Sequence, residues 1–114
     1  MKKILVIHTS PNGAGSTSRQ VTQKVIDQLK AKHSQVEVIE RDLDKNPPGH
    51  ITGAHVGAYD TPAEQLTAEQ KNLLQASDGY ITDLLAADIL VIGTPMWNFN
   101  VPSVLKAWID HVVR

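Results

Sequence analysis

The sequence has no cysteine, few aromatic residues and no excess of charge of either sign. The absence of cysteine excludes disulfides, thiolate metal sites and cysteine nucleophiles, and makes a cytoplasmic location the default expectation. Eleven Lys and Arg residues against 12 Asp and Glu residues give a formal net charge of −1, which offers no electrostatic case for binding nucleic acid or an anionic membrane. No apolar run approaches the roughly 20 residues that span a bilayer. A chain of 114 residues is long enough for one domain with one core.

Apolar runs alternate with helical periodicity along the chain. Strands are predicted at residues 4–7, 36–39 and 89–93. Helices are predicted over about 17–32, from a capping box at Thr67 and Gln70 to about 87, and from Pro102 onward. Segment 44–62, with three prolines and three glycines, is predicted to be a long irregular loop. The resulting order predicts an α/β fold with a parallel sheet and helices on both faces.

Apolar side chains also predict which helix faces are buried. On the first helix, Val21, Val25 and Leu29 recur at helical spacing with Ile26 beside them. On the last helix, the expected buried stripe consists of Val101, Leu105, Trp108, Ile109 and Val112.

The turn Pro95–Val101 follows the third predicted strand, at the sheet edge where open α/β sheets bind their ligands. Trp97 and Phe99 are two of only five aromatic residues in the chain, and Asn98 lies between them. Aromatic rings beside exposed backbone amides suit a flat ligand ring rich in heteroatoms. The alternative is a loop that folds its aromatic side chains into the local core.

The loop between the first strand and the first helix is rich in hydroxyl groups, which belong to Ser10, Ser16, Thr17 and Ser18. Backbone amides at a helix amino terminus add further donors and a favourable dipole. Together these groups predict a receptacle for a terminal phosphate. The competing interpretation is that Ser16 only caps the helix and the glycines only turn the chain.

Three known phosphate-binding motifs fit this loop less well. A P-loop requires a lysine after its glycine, and none is present here. A Rossmann fingerprint is nearer, with Gly13, Gly15 and a possible ribose-binding acid at Glu40. The loop between the strand and Gly13 is, however, longer than the tight turn that this motif requires. Low-molecular-weight phosphatases use a cysteine nucleophile. The five histidines form no metal-binding spacing, and no Ser-His-Asp set or carboxylate pair is visible.

The two loops together resemble the FMN-dependent NADH azoreductases and quinone reductases of the flavodoxin-like fold. The resemblance spans essentially the whole chain, and the Pro-Met-Trp-Asn-Phe segment is its most specific part. It is carried by Ser10, Ser16-Thr17-Ser18, Arg41-Asp42-Leu43, Pro95-Met96-Trp97-Asn98-Phe99-Asn100 and the segment 102–110. It implies a three-layer αβα fold with strand order 2-1-3.

The resemblance also implies a cofactor and a reaction. FMN phosphate would be held by Ser10, Ser16, Thr17 and Ser18, and the isoalloxazine would lie against Pro95, Met96, Trp97, Asn98 and Phe99. NAD(P)H would reduce the flavin and leave, and a quinone or azo compound would then take the electrons. The flavin carries this chemistry, so no catalytic side chain is implied.

Members of this family continue beyond the equivalent of Arg114 with further strands and another flavin-contacting loop. Residues 1–114 are therefore expected to be the N-terminal portion of a flavodoxin-like FMN-binding domain. The chain is expected to pair with another copy through the apolar edge at 89–92 or the helix 101–112, giving a homodimer, or else to belong to a longer protein. Two alternatives are a non-catalytic, self-associating fragment and an acyl-carrier-protein phosphodiesterase.

Overall fold

The computed structural model describes residues 1–96 and 98–114 and contains a three-stranded parallel sheet with the order β2-β1-β3. The strands are β1 (Lys2–His8), β2 (Val36–Asp42) and β3 (Ile89–Gly93). The helices are α1 (Thr17–Lys32), α2 (Gly53–Tyr59), α3 (Ala68–Ala86) and α4 (Ser103–Val112), with short 3₁₀ turns at Gly13–Gly15 and Ala63–Gln65. The strand order and the parallel pairing confirm the predicted fold class.

The central strand β1 divides the core into two layers because successive side chains of a strand point to opposite faces. Ile4 and Val6 pack with Ile26 of α1 on one face. Leu5 and Ile7 pack with a cluster from the other face that contains Leu43, Leu105 and Trp108. Burial of both faces explains why this strand is continuously apolar rather than alternating. The result is the predicted three-layer arrangement.

Helix α1 has the predicted bounds but presents a different face to the sheet. Thr22 and Ile26 are its buried residues, and Leu29 packs beside them. Val21 is 54% exposed and Val25 is also exposed, so the prediction that these two valines share the buried face is wrong. The helix is rotated because Thr22 lies directly beneath the end of β3, where Gly93 leaves room for it.

Helices α3 and α4 cover the opposite face. The predicted capping box is confirmed, since Gln70 N donates to Thr67 Oγ1 at 3.1 Å and Thr67 N donates to Gln70 Oε1 at 3.0 Å. On α4, Leu105 and Trp108 are buried as predicted. Val101 and Ile109 are exposed, whereas Ala107 and His111 are buried, so the buried face is displaced from the predicted stripe.

Segment 44–62 is not wholly irregular, because it contains the seven-residue helix α2. His55 and Ala58 are the buried residues of this helix, and its neighbour in space is α3. The preceding stretch is tied to α4 by a 2.7 Å hydrogen bond between His111 Nε2 and the Gly49 carbonyl. Among the described residues, no helix is long and apolar enough to cross a membrane.

Candidate functional site

The carboxyl ends of β1 and β3 border a cleft of about 510 Å³. Among the predicted site residues outside position 97, five line it, namely Ser10, Ser16, Thr17, Ser18 and Pro95. The sequence analysis did not select the other lining residues, Asn12, Val21, Thr22, Ile92, Gly93 and Thr94. The structure therefore brings the predicted phosphate residues and the start of the aromatic turn into one cavity.

Two of the hydroxyls belong to a short hydrogen-bonded chain at the start of α1. Ser16 Oγ accepts from Arg19 N at 3.3 Å and lies 2.9 Å from Ser18 Oγ. Ser16 is therefore the helix cap that the competing interpretation proposed, and its hydroxyl also lines the cleft. Capping and ligand binding are compatible here because a hydroxyl can both accept and donate a hydrogen bond.

Ser10 supplies a third hydroxyl from the end of β1. Its side chain is buried, and its Oγ accepts from Asn12 N at 3.3 Å. Accepting this bond leaves the Ser10 proton to be directed at a ligand oxygen. Together with the amino terminus of α1, the cleft presents uncharged donors on a positive dipole end, which is a donor set that fits a phosphate group.

Gly93 forms the part of the cleft wall at which β3 and α1 approach most closely. A Cβ atom at this position would overlap the Thr22 hydroxyl. That hydroxyl is itself held in place, since Thr22 Oγ1 donates to the Ser18 carbonyl at 2.7 Å. The end of β3 is also joined to β1 by Thr9, whose Oγ1 donates to the Gly93 carbonyl at 2.9 Å. A side chain at position 93 would therefore push apart the two walls of the cleft.

A second cleft, of about 860 Å³, lies beside the first. Of the predicted site residues that the structure describes, Asn98 alone lines it. Its other lining residues come from the end of β1, the segment after β2 and the start of α4, and they are Thr9, Pro11, Asp44, Asn100, Val101, Pro102, Ser103, Val104 and Lys106.

The turn after β3 has a strained backbone. Asn98 and Phe99 have φ values of 50° and 61°, in the left-handed region that bulky side chains rarely adopt. Phe99 is 94% exposed and Met96 is 71% exposed, so the interpretation that this loop folds its aromatic side chains into the core is wrong for Phe99. Trp97, the other predicted aromatic contact, lies outside the described residues. Strain combined with an exposed aromatic ring is typical of ligand-binding turns.

An ion pair lies next to Ser10, one of the residues that line the first cleft. Arg19 donates to both carboxylate oxygens of Asp42, at 2.9 and 3.0 Å. The hydrogen bond from Arg19, helped by backbone donors at Asp44 and Lys45, lowers the pKa of Asp42 below its ordinary value. The pair is thus charged at neutral pH. Its net charge is zero, so it contributes structure rather than positive potential to the cleft.

Glu40, the possible ribose-binding acid of the Rossmann alternative, is occupied elsewhere. Its Oε1 lies 3.0 Å from His8 Nε2. In the described part of the chain, no group of three or more His, Cys, Asp or Glu side chains could hold a metal ion.

Comparison with known proteins connects this geometry to a family. The family model described as the flavodoxin-like fold matches residues 2–114. The chain belongs to the flavodoxin-like fold family. Its flavodoxin-like strand order, with β1 between β2 and β3, places both clefts at a reversal of strand order, which is the usual ligand position in such sheets.

The relatives of this flavodoxin-like chain carry names that agree with the resemblance. FMN-dependent NADH:quinone oxidoreductase 2 of Jannaschia sp. (strain CCS1) is 47% identical over all of this chain and 56% of the relative. The FMN-dependent NADH:quinone oxidoreductase of Herminiimonas arsenicoxydans is also 47% identical over the same shares. An azoreductase from Bacillus anthracis superposes with a TM-score of 0.87 at 26% identity, covering 98% of this chain and 55% of the other. The chain spans about half the length of these relatives.

The flavodoxin-like fold also explains which site residues sequence reasoning missed. Thr94 and Gly93 follow directly from the position of β3, since residues at the carboxyl ends of parallel strands meet at one edge. Arg19 and Asp42 are harder to find from the sequence than Gly93 and Thr94. Asp42 was part of the family resemblance, but nothing in the spacing indicates that Arg19 is its partner.

Proposed function

We propose that this protein is an FMN-dependent oxidoreductase that passes electrons from NAD(P)H to quinones or azo compounds. The observation that carries the proposal is the cleft between β1 and β3. It joins four predicted hydroxyl-bearing residues, the amino terminus of α1 and the start of a strained aromatic turn. The names of the relatives, which are FMN-dependent NADH:quinone oxidoreductases, support the same cofactor.

Ser10, Ser16, Thr17 and Ser18 would hold the phosphate. Their hydroxyls offer directional donors, and the end of α1 adds backbone N–H groups that favour an anion. Hydrogen bonds to a charged group contribute roughly 1.5–3 kcal/mol each, about twice the value for neutral partners. This donor set fits a terminal phosphate better than it fits an uncharged ribityl end.

Pro95, Met96, Asn98 and Phe99 would lie against the isoalloxazine, and Trp97 remains a predicted ring contact. When bound, the flavin supplies the hydride and electron chemistry. The contribution of this chain is to orient the ring and to aim backbone donors at its edge, where charge develops on reduction. Phe99, already exposed, can cover a flat ring without leaving a core position.

Further predictions accompany this assignment. Residues 1–114 would be the N-terminal portion of the FMN-binding domain, because they span about 56% of the length of the relatives. Full activity would require the remainder of such a domain or a partner that replaces it. A homodimer and a cytoplasmic location are also proposed. The non-catalytic fragment is the alternative.

The test compares FMN with riboflavin, which lacks the phosphate. Ser18 is the best residue to change because, unlike Ser16, it does not cap the helix. We expect Ser18→Ala to weaken FMN binding by about tenfold, as loss of one hydrogen bond to a charged group predicts, and to leave riboflavin binding unchanged. Ser34→Ala, at the opposite end of the sheet, is the matched control. Equal weakening of both ligands would contradict the phosphate assignment.

The catalytic part of the proposal is tested separately. The purified protein is reconstituted with FMN, and NADH oxidation is followed with a quinone present. A flavin-dependent rate supports the oxidoreductase. A protein that binds FMN but never accepts electrons from NADH or NADPH would favour the non-catalytic alternative.

A further inference from the structure

We propose that Arg19 is a positioning residue that holds the first loop (residues 9–16) in its phosphate-receiving conformation by bridging the Ser10 carbonyl to the Asp42 carboxylate. The inference rests on the proposed function for its ligand, but the bridge itself is a feature of the protein alone. Nothing in the sequence pattern assigns a role to this arginine.

The geometry of the bridge is bidentate. Arg19 Nη1 donates to Asp42 Oδ2 at 2.9 Å, and Nη2 donates to Asp42 Oδ1 at 3.0 Å. The same Nη2 donates to the Ser10 carbonyl at 2.7 Å. One planar guanidinium thus connects the first loop, the start of α1 and the end of β2. The side chains of Arg19 and Asp42 are only 17% and 19% exposed, which limits competition from water.

Asp42 is fixed independently of Arg19. Its Oδ1 accepts from Asp44 N at 3.1 Å and from Lys45 N at 3.3 Å. The carboxylate is therefore held by the turn that follows β2. The guanidinium, which bonds both this carboxylate and the Ser10 carbonyl, holds Ser10 in place in turn. Because β2 is paired along its length with β1, the first loop is held against the sheet.

The bonds of Thr9 to the Gly93 carbonyl hold the start of the loop, but the hydrogen bonds between residues of the loop itself are few and long. Within the loop, Asn12 N donates to Ser10 Oγ at 3.3 Å, and Ser16 N donates to the Gly13 carbonyl at 3.1 Å. Gly13 has a φ of 56°, a conformation that glycine leaves easily. A loop that visits other conformations binds its ligand more weakly in proportion to the fraction that is competent.

A positioning role differs from direct attraction of the phosphate by a positive charge. Asp42 neutralises the charge of Arg19, and the terminal guanidinium nitrogens donate to the Asp42 carboxylate and the Ser10 carbonyl. Lysine retains the charge but has no planar fork that could hold both oxygens of Asp42 and the Ser10 carbonyl together. The two roles therefore predict opposite behaviour for Arg19→Lys.

The experiment measures FMN and riboflavin affinities for the wild type, Arg19→Lys and Arg19→Gln. Arg41→Gln is the matched control, because Arg41 makes an ion pair with Asp83 at 2.6 Å on the other side of β2 and away from the first loop. Amide hydrogen exchange of Asn12 and Ser16 is measured on the same proteins without ligand. Thermal melting verifies that each variant folds.

We expect both Arg19 variants to bind FMN about tenfold more weakly, as expected if the competent loop conformation falls to about a tenth, with riboflavin binding unchanged. Exchange at Asn12 and Ser16 should accelerate while exchange in β1 stays constant. Arg41→Gln should alter neither property. If Arg19→Gln does not fold, the comparison rests on Arg19→Lys, which keeps the charge.

Three results would overturn the inference. These are wild-type FMN affinity in Arg19→Lys, equal weakening of FMN and riboflavin, or unchanged exchange in the first loop. If the wild type binds no FMN, the proposed function fails instead. The positioning role of Arg19 is then decided by the amide exchange rates of Asn12 and Ser16 in the protein without ligand.

Discussion

At the scale of single residues, backbone conformation and residue type are mismatched in the turn after β3. Left-handed φ values normally belong to glycine, yet here they belong to Asn98 and Phe99. Gly93, by contrast, is needed for close approach to Thr22 rather than for its own φ. Both departures from local preference occur at the candidate site, which is where strain is commonly retained.

Phe99 allows this strain to be measured directly. Replacing Phe99 with Ala removes the ring but keeps the left-handed penalty, whereas Gly removes both. Elsewhere Gly is less stable than Ala by roughly 0.5–1 kcal/mol, but the left-handed conformation costs other residues roughly 1–2 kcal/mol. We therefore expect the free energy of unfolding, measured by urea titration, to be about 0.5–1 kcal/mol higher for Phe99→Gly than for Phe99→Ala. A lower value for Gly would mean that position 99 is not strained in solution.

Gly93 provides the second prediction at this scale. Gly93→Ala should lower the free energy of unfolding by about 1–3 kcal/mol, because the added methyl group overpacks the contact with Thr22. Adding Thr22→Ala should recover part of the loss by removing the overlapping hydroxyl. Gly79→Ala is the control, since it lies within α3 with open space around it and should stabilise by roughly 0.8–1 kcal/mol. Additive effects at positions 93 and 22 would contradict the contact.

At the scale of secondary-structure elements, the long elements could be predicted and the short one could not. Helix α1 and strand β3 have their predicted bounds, and the capping box at Thr67 marks the start of α3. Helix α2 was missed because its glycines resemble loop residues, and a seven-residue helix gains its stability from contacts with α3 that local sequence does not reveal.

The rotation of α1 was unpredictable for a related reason. Val21 and Val25 are better apolar residues than Thr22, so periodicity alone selects the wrong face. The orientation is decided by Gly93, 71 residues further along the chain, which makes space for Thr22 beneath β3. Such a contact between distant residues becomes visible only in three dimensions.

Helix α2 depends on a neutral histidine. Thr52 N donates to His55 Nδ1 at 3.1 Å, and a protonated imidazole could not accept this bond. His55 is buried, and its ring centroid lies 5.7 Å from that of His111 and 6.3 Å from that of Tyr59. Arg114 lies over the Tyr59 ring. Burial, with a smaller contribution from the charge of His111, lowers the pKa of His55.

The lowered pKa gives stability a definite pH dependence. The unfolded chain takes up a proton on His55 near pH 6.5, whereas the folded protein resists it to lower pH. The contribution is therefore complete above about pH 6.5 and is lost as the pH falls below it. Urea titrations from pH 7.5 to 5 should show this decline for the wild type and a shallower one for His55→Asn, which keeps an acceptor but does not titrate. Parallel pH profiles would refute it.

At the scale of the whole molecule, the position of the site could be predicted better than its construction. Serines after β1 and the turn after β3 were assigned to one sheet edge, and the structure brings Ser10 and Pro95 to one cleft there. No sequence pattern predicts that Arg19 pairs with Asp42. Hydrogen bonds between side chains of different elements depend on side-chain direction, which periodicity does not encode.

Self-association is a prediction about the molecule as a whole. Leu90 and Ile92 are exposed on β3, on the face of the sheet that carries Leu5 and Ile7, and apolar strand edges tend to recruit a partner. We expect sedimentation velocity to detect a species larger than a monomer, and Leu90→Lys to shift it toward the monomer. Leu85→Lys, at a leucine of α3 that is more exposed than Leu90, should have no effect. A wild-type monomer at all concentrations would contradict the proposed homodimer.

The pairing of β1 with β3 has a consequence for how the site comes into being. Lys3 and Asp88, which bond each other beside that pairing, are 85 residues apart in the chain, so the contact order of the sheet is high and closing this loop is a slow, entropically costly step. One wall of the first cleft comes from the end of β1 and the start of α1, and the other comes from the end of β3. A chain that has not yet docked β3 therefore lacks the first cleft, and under the proposed function FMN at a hundred times its dissociation constant should add about 2.7 kcal/mol to the closed state alone.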